Sequence, residues 1–175
     1  MNVQRIVVGE LRCNCYIIEN KGHVLIIDPG NNTVVNKIDN RIVDGVIITH
    51  HHDDHDGGVS SIIDKYNTKM YDINNLDEGK NKIGLFEFNV IYNPGHKEDA
   101  ISIYFDKEKI MFVGDFIFRN SIGRCDLDGG NIHDMFESIN KIKKYPKDIV
   151  IYPGHGEDTT LGYEINNNPY FRDYL

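Results

Sequence analysis

The chain has 175 residues, of which 40% are hydrophobic, and a formal net charge of −8 at pH 7. Length and composition predict one domain, residues 1–175, with enough apolar side chains for a packed core. The acidic charge argues against nucleic-acid binding, and no apolar run reaches the ~18 residues of a membrane span. Only three cysteines are present and the N-terminus lacks an apolar signal segment. We therefore expect a cytoplasmic protein without a disulfide framework.

Strand-like and helix-like segments alternate along the chain. Short apolar or alternating runs predict strands at Val3–Val8, Cys15–Glu19, Val24–Ile27, Val46–Ile48, Glu87–Tyr92, Ile101–Phe105, Ile110–Val113 and Ile149–Ile151. Helices are predicted at Gly58–Tyr66 and at Asn131–Lys144, the second with Asn131 as its N-cap. The Asn-rich segment Asn166–Asn168 is predicted to be a loop. This alternation indicates a layered α/β fold.

The segment Thr49–Gly57, of sequence THHHDDHDG, follows a buried strand and contains four histidines and three aspartates. Burying such groups without partners would cost several kcal/mol or more. Because side chains alternate along extended backbone, His50 and His52 lie on one side and can bind one cation. Asp54 and His55, on the turn into the next helix, can face a second cation. Imidazole and carboxylate suit zinc, iron or manganese.

The remaining ligands are expected at the ends of other strands. His96 and His155 each end a Pro-Gly-His turn, and Asp115 follows a strand directly. In layered α/β folds such strand ends gather at one edge, where loops carry the chemistry. One aspartate can bridge two ions roughly 3.5–4 Å apart. The sequence therefore predicts two adjacent metal sites that share Asp115.

Other histidines and the cysteines are interpreted as unrelated to this site. His51 reads as filler between two ligands, and His23 and His133 are expected to be solvated. The pair Cys13-x-Cys15 is half of a zinc knuckle without its second pair, and Cys125 has no assigned role. A surface loop with adventitious metal affinity is the alternative to a built site. A non-catalytic metal-binding module would require a missing ligand, and none is missing.

The pattern of seven ligands resembles that of the metallo-β-lactamase fold superfamily, in its glyoxalase II-like branch. It consists of His50-x-His52-x-Asp54-His55, His96, Asp115 and His155. Further similarity at residues 27–30, 114–126 and 168–171 extends the resemblance over nearly the whole chain. It implies an α/β fold, an αβ/βα sandwich of two mixed β-sheets flanked by helices, with a dinuclear site at one edge.

Residue by residue, the resemblance implies specific roles. It assigns His50, His52 and His96 to a first metal and Asp54, His55 and His155 to a second, with Asp115 bridging both. The ions are expected to be two divalent cations, zinc first, with iron or manganese as alternatives. Asp28 matches a position that orients a metal ligand, and Arg124 matches a basic position near the carboxylate of glutathione.

The resemblance further implies a thioester hydrolase of the hydroxyacylglutathione hydrolase type. Its metal pair lowers the pKa of water toward ~7 and so supplies hydroxide, which Asp54 orients as the catalytic residue. The expected partner is a small-molecule thioester, with glutathione as one candidate for its thiol carrier, and the oligomeric state is open. The chain ends at Leu175, about where the helical glutathione-binding domain of full-length glyoxalase II begins. We therefore expect a single domain without that glutathione-binding domain.

Two related activities are weighed against this one. Persulfide dioxygenases hold one iron through the equivalents of His50, His96 and Asp115, and they are the main alternative. Metallo-β-lactamases proper usually carry a cysteine at the second metal. Here that place is taken by His55 and Asp115, which disfavours antibiotic hydrolysis.

Overall fold

A computed structural model describes residues 1–172. Its first sheet contains β1 (Asn2–Val8), β2 (Cys13–Asn20), β3 (His23–Ile27), β4 (Ile42–Ile47) and β5 (Met70–Tyr71). The five strands lie in the order β1-β2-β3-β4-β5. Neighbours are antiparallel from β1 to β3 and parallel from β3 to β5, so the sheet is mixed.

The second sheet is built mainly from the other half of the chain. Its strands are β6 (Gly79–Ile83), β7 (Phe86–Tyr92), β8 (Ile101–Phe105), β9 (Ile110–Gly114), β12 (Val150–Pro153) and β13 (Thr159–Thr160). They lie in the order β13-β12-β9-β8-β7-β6, in which only β9 and β12 are parallel neighbours. A small separate hairpin is formed by β10 (Ile117–Phe118) and β11 (Ser121–Ile122).

The described helices are α1 (Asp53–Asp56), α2 (Val59–Tyr66), α3 (Ile132–Ile142) and α4 (Leu161–Asn167), with 3-10 turns at Asn32–Lys37 and Pro169–Phe171. The side chain of Asn131 accepts hydrogen bonds from the backbone of His133 and Asp134, so the predicted N-cap of α3 is confirmed. Within residues 1–172, none of the helices has the length and apolarity needed to span a membrane.

Three buried clusters show how the layers stack. One lies between the sheets and includes Tyr16, Ile18 and Ile27 of the first sheet with Phe86, Ile103 and Phe112 of the second. The second cluster packs the other face of the first sheet against α2, and the third packs the other face of the second sheet against α3 and α4. Both faces of each sheet are therefore covered, and the expected αβ/βα sandwich is confirmed.

Two local differences between the predicted and the observed elements have identifiable reasons. Strand β6 was missed because its polar sequence GKNKI lacks a clear alternation, as is common in edge strands. The predicted loop at Asn166–Asn168 is wrong, since Asn166 and Asn167 end α4. The buried carboxylate of Glu164 accepts a hydrogen bond from Asn168, which keeps the chain wound as far as the next turn.

Candidate metal centre

The seven predicted ligands lie on the segments that follow β4, β7, β9 and β12, with Asp54 and His55 in α1, and the fold brings these segments together. Two of the four loops come from chain segments more than a hundred residues apart, because β4 ends at Ile47 and β12 ends at Pro153. The side chains form two groups of ring nitrogens and carboxylate oxygens with Asp115 between them.

The first group consists of three histidines. Nε2 of His50 and Nε2 of His96 lie 3.0 and 3.1 Å from Nδ1 of His52. Burial and the neighbouring histidines hold the pKa of His50 well below its usual value, and burial with His96 also lowers the pKa of His52. The rings of His50 and His52 are therefore neutral at pH 7. Together with His96 they place three ring nitrogens around one point, which suits a single cation held at about 2.0–2.1 Å from each.

The second group consists of Asp54, His55 and His155. Oδ2 of Asp54 lies 3.1 Å from Nε2 of His155 and 3.7 Å from Nε2 of His55. The hydrogen bond from His155 is the main reason that the pKa of Asp54 is lowered to about 2. Asp54 therefore presents an ionised carboxylate beside two imidazole nitrogens, a donor set that suits a divalent cation.

Asp115 contacts both groups. Its Oδ1 lies 3.3 Å from Nε2 of His55, and its Oδ2 lies 3.7 Å from Nε2 of His96 and 3.5 Å from Nε2 of His155. Nε2 of His55 and Oδ1 of Asp115 are buried and make no hydrogen bond with the described part of the chain. Leaving such atoms unpaired is costly, and cations bound between the groups would satisfy both. The residues present therefore fit a pair of metal ions.

Asp28 lies behind the ligands and fixes their orientation. Its buried carboxylate accepts hydrogen bonds from the backbone N–H and the hydroxyl of Thr49, at 2.8 and 2.7 Å. Oδ2 also lies 3.0 Å from Nδ1 of His55. Because a carboxylate oxygen accepts, this contact places a ring hydrogen on Nδ1 and directs Nε2 toward Asp115, where a bound cation would take its lone pair.

Cys13 lies beside the centre, which the sequence did not indicate. Its Sγ is 3.7 Å from Nδ1 of His55. Burial raises the pKa of the thiol to about 11, so without a metal the thiol is neutral at pH 7. Sγ of Cys13 lies within 4.8 Å of ligand atoms of Asp54 and His55, so a cation bound there could also take Cys13 as a thiolate ligand.

His51 has a structural role that was not expected from the sequence. Its Nδ1 lies 3.0 Å from Oδ2 of Asp56 and its Nε2 lies 2.9 Å from Oδ2 of Asp72. Burial opposes the charged ring, but the two carboxylates outweigh it and raise the pKa of His51. Its backbone N–H donates to Asp99 and its carbonyl accepts from Lys97. The residue between two ligands is therefore held on four sides.

The other two histidines differ from each other. His23 was expected to be solvated, but its Nδ1 lies 2.7 Å from Oδ1 of Asp44 and its side chain is largely covered. His133 is exposed, as expected.

Arg124 contributes its backbone to the centre. Nδ1 of His96 donates to the carbonyl of Arg124 at 2.7 Å, which directs Nε2 of His96 toward the other ligands. The guanidinium forms a two-pronged pair with Asp126, at 2.7 and 2.8 Å, and the side chain is 61% exposed. The basic group that was predicted to bind substrate is thus already paired.

The chain is similar in sequence to proteins of known activity. The chain is 31% identical over 164 residues to hydroxyacylglutathione hydrolase of Francisella tularensis subsp. novicida (strain U112), covering 84% of this chain and 64% of that protein. The chain thus spans less than two thirds of the length of that relative.

Several solved structures superimpose closely on this chain. The BLEG-1 B3 metallo-beta-lactamase superimposes with a TM-score of 0.94 at 28% identity, covering 98% of this chain and all (100%) of that one. TTHA1623 in a di-iron-bound form superimposes with a TM-score of 0.87 at 28% identity, covering 96% and 100%. ETHE1 from Myxococcus xanthus has a TM-score of 0.88 over 97% and 84% of the two chains, but its 22% identity shows the fold alone.

A family model extends these similarities over most of the chain. The model described as the metallo-beta-lactamase superfamily matches residues 8–71 and 70–155, which include all seven predicted ligands. With the sandwich and the arrangement of histidines and aspartates, this match shows that the chain belongs to the metallo-beta-lactamase superfamily.

Proposed function

We propose that the protein is a dinuclear metal-dependent hydrolase of the hydroxyacylglutathione hydrolase type, which cleaves a small-molecule thioester in the cytoplasm. One observation carries this proposal: Asp115 lies within 3.7 Å of ligand nitrogens in both groups, so the two sites share a carboxylate. The similarity to the Francisella hydroxyacylglutathione hydrolase supports the reaction class. Zinc is the proposed metal, and the di-iron-bound form of TTHA1623 makes iron the first alternative.

Two bound divalent ions would polarise the thioester carbonyl and lower the pKa of water toward ~7. The chain supplies the rest of the chemistry. Asp54 is ionised at neutral pH, so its carboxylate can accept a hydrogen bond from the attacking water and orient it. Asp28 and the carbonyl of Arg124 hold His55 and His96 in place. A thiolate leaving group needs little protonation, so no general acid is required.

Arg124 remains the sequence-based prediction for substrate contact. A substrate carboxylate would have to compete with Asp126 for the guanidinium, since both prongs of that group are engaged. Such competition weakens the net attraction, because one ion pair is exchanged for another.

The test combines metal analysis with assays on three compounds. Elemental analysis of the purified protein should approach two metals per chain, and S-lactoylglutathione should be hydrolysed. Glutathione persulfide should cause no oxygen consumption, and a cephalosporin is included because a similar structure is described as a B3 metallo-beta-lactamase. One iron per chain with oxygen uptake would establish the dioxygenase alternative instead, and hydrolysis of the cephalosporin alone would establish a lactamase.

Asp54→Ala separates the two leading activities. It removes a ligand of the second group only, so a dinuclear hydrolase should lose one metal and most of its activity. In the Asp54→Ala variant, a mononuclear site built on His50, His96 and Asp115 would keep its metal ion and its rate of persulfide oxidation. Asp53→Ala is the matched control, since Asp53 is the exposed neighbouring aspartate in α1.

A further inference from the structure

A cavity of about 480 Å³ adjoins the candidate metal centre at His155. Its other walls include Val7 near the end of β1, Leu11 and Arg12 in the turn between β1 and β2, and Asn14 near the start of β2. The volume falls within the roughly 300–1,000 Å³ that is usual for small-molecule sites. A substrate reacting at the metal edge would therefore find space beside it.

The floor of this cavity is fixed to the metal centre. Asn14 is 1% exposed, and its side-chain amide donates to the carbonyls of Pro153 and Gly156, at 3.0 and 2.9 Å. Its backbone N–H also donates to the carbonyl of Gly154 at 2.7 Å. These three hydrogen bonds connect the hairpin to the loop that carries His155, so the position of the hairpin relative to His155 is fixed.

The positive charge of Arg12 in this cavity has no partner among residues 1–172. Arg5 donates to the carbonyl of Gly156 and lies 3.7 Å from Asp158, while Glu157 lies 3.9 Å from Arg119. These charges are therefore already paired. The guanidinium of Arg12 makes no hydrogen bond or ion pair with any residue from 1 to 172. In a chain of net charge −8, an unpaired arginine beside a metal ligand creates a local site for an anion.

Apolar side chains lie beside this cation. Leu11 is 69% exposed and Val7 is 47% exposed, and both line the cavity. Single exposed apolar residues are ordinary, but here two of them border the same cavity as an unpaired guanidinium. The combination suits a ligand with an aliphatic stem and an anionic end.

We propose that this cavity, the hairpin groove, binds the thiol-carrier part of the substrate. The aliphatic stem packs on Val7 and Leu11, and a carboxylate or phosphate of the carrier pairs with Arg12. This inference rests on the proposed thioester hydrolysis and names the class of carrier that it takes. Arg12 is the better anion site than Arg124, because Arg124 is already paired with Asp126 whereas Arg12 has no anionic partner in the described part of the chain.

The test measures binding, independently of hydrolysis. Three non-hydrolysable thioethers with the same alkyl group are titrated calorimetrically into the metal-loaded protein: S-alkylglutathione with carboxylates, S-alkyl-coenzyme A with phosphates, and neutral S-alkyl-N-acetylcysteamine. The variant is Arg12→Asn, which removes the charge and suits the left-handed backbone at Arg12, where φ is +58°. The matched control is Lys21→Asn, the same loss of charge at φ +52° in the exposed turn between β2 and β3.

Arg12→Asn should weaken binding of an anionic thioether by about 5- to 20-fold, as for an exposed charge-assisted hydrogen bond, and leave the neutral thioether unchanged. Loss for the glutathione compound alone identifies a carboxylate, and loss for the coenzyme A compound alone identifies a phosphate. Leu11→Ser should weaken all three. The groove is refuted if Arg12→Asn matches Lys21→Asn for every compound, or if none of the thioethers binds.

This readout separates the groove from the proposed function. Binding that depends on Arg12 in a protein that hydrolyses no thioester would uphold the groove and refute thioester hydrolysis. If the protein hydrolyses a thioester efficiently and Arg12→Asn changes neither binding nor rate, the proposed function stands and the proposal that the hairpin groove binds the carrier is refuted.

Discussion

A single methyl group at Gly154 tests the geometry of the metal centre. A Cβ added there would lie 2.2 Å from Oδ1 of Asp115 and 2.6 Å from Cε1 of His55. Ordinary van der Waals contact lies at about 3.5–4.0 Å, so these atoms must separate by about 1 Å. The backbone cannot yield easily, because Gly154 donates to the carbonyl of Gly114 at 2.8 Å and accepts from Asn14 at 2.7 Å.

The magnitude follows from that displacement. Overpacking of this kind costs about 1–3 kcal/mol of folding stability, and a 1 Å misplacement of reacting groups can cost about 100-fold in rate. We therefore expect Gly154→Ala to bind fewer than two metals and to lose about 100-fold in kcat/KM for S-lactoylglutathione. Elemental analysis, steady-state kinetics and urea unfolding measure the three effects.

Gly22→Ala is the control for the glycine replacement itself. Gly22 has φ of +81° and no heavy atom within 4 Å of an added Cβ, so alanine there adds backbone strain without a clash. Its stability should fall by about 1 kcal/mol, while metal content and rate stay unchanged. If Gly154→Ala kept both metals and the wild-type rate, the close approach of Gly154 to Asp115 and His55 would be wrong.

Three further predictions use other parts of the molecule. His55→Ala should remove one metal and most hydrolysis, whereas the exposed His133→Ala should change neither; equal damage from both would contradict the ligand assignment. Glu164→Ala should lower the free energy of unfolding by about 2–4 kcal/mol in urea, because it leaves the buried donors of Thr159 and Asn168 unpaired; a loss below measurement error would show that water replaces the carboxylate. Removing metal with a chelator should lower Tm, by the equivalent of about 2.7 kcal/mol for ions present at 100 times Kd, and adding zinc should restore it; an unchanged Tm would show that the folded protein carries no bound metal.

Local sequence was sufficient for the elements whose signal lies within a few residues. Alternating apolar residues identified most of the strands, and Asn131 identified the start of α3 because a cap acts on the next two or three residues. The ligand types and their spacing around His50 determined the chemistry of the site, since imidazole and carboxylate donors select divalent metals whatever the fold. The two Pro-Gly-His turns and the aspartate at a strand end extended the set to His96, His155 and Asp115, and the resemblance to the superfamily then assigned the seven residues to two metals.

Roles that depend on distant partners could not be predicted. His51 looks like filler in the sequence, because Asp72 and Asp99, which hold it, lie 21 and 48 positions away. Cys13 has no recognisable motif, and only the pairing of β2 beneath the metal loops places it beside His55. Such contacts carry no local periodicity, so nothing in the neighbouring residues signals them.

The sequence by itself determined which donors the protein has and what chemistry they suit. Tertiary structure alone decided which cations are free and where they lie. The sequence indicated Arg124 as the substrate-binding cation, but folding pairs Arg124 with Asp126 and leaves Arg12 without a described partner beside His155. The reason is physical: the availability of a charge depends on its neighbours in space, and Asn14 joins that hairpin to a loop 142 residues further along the chain.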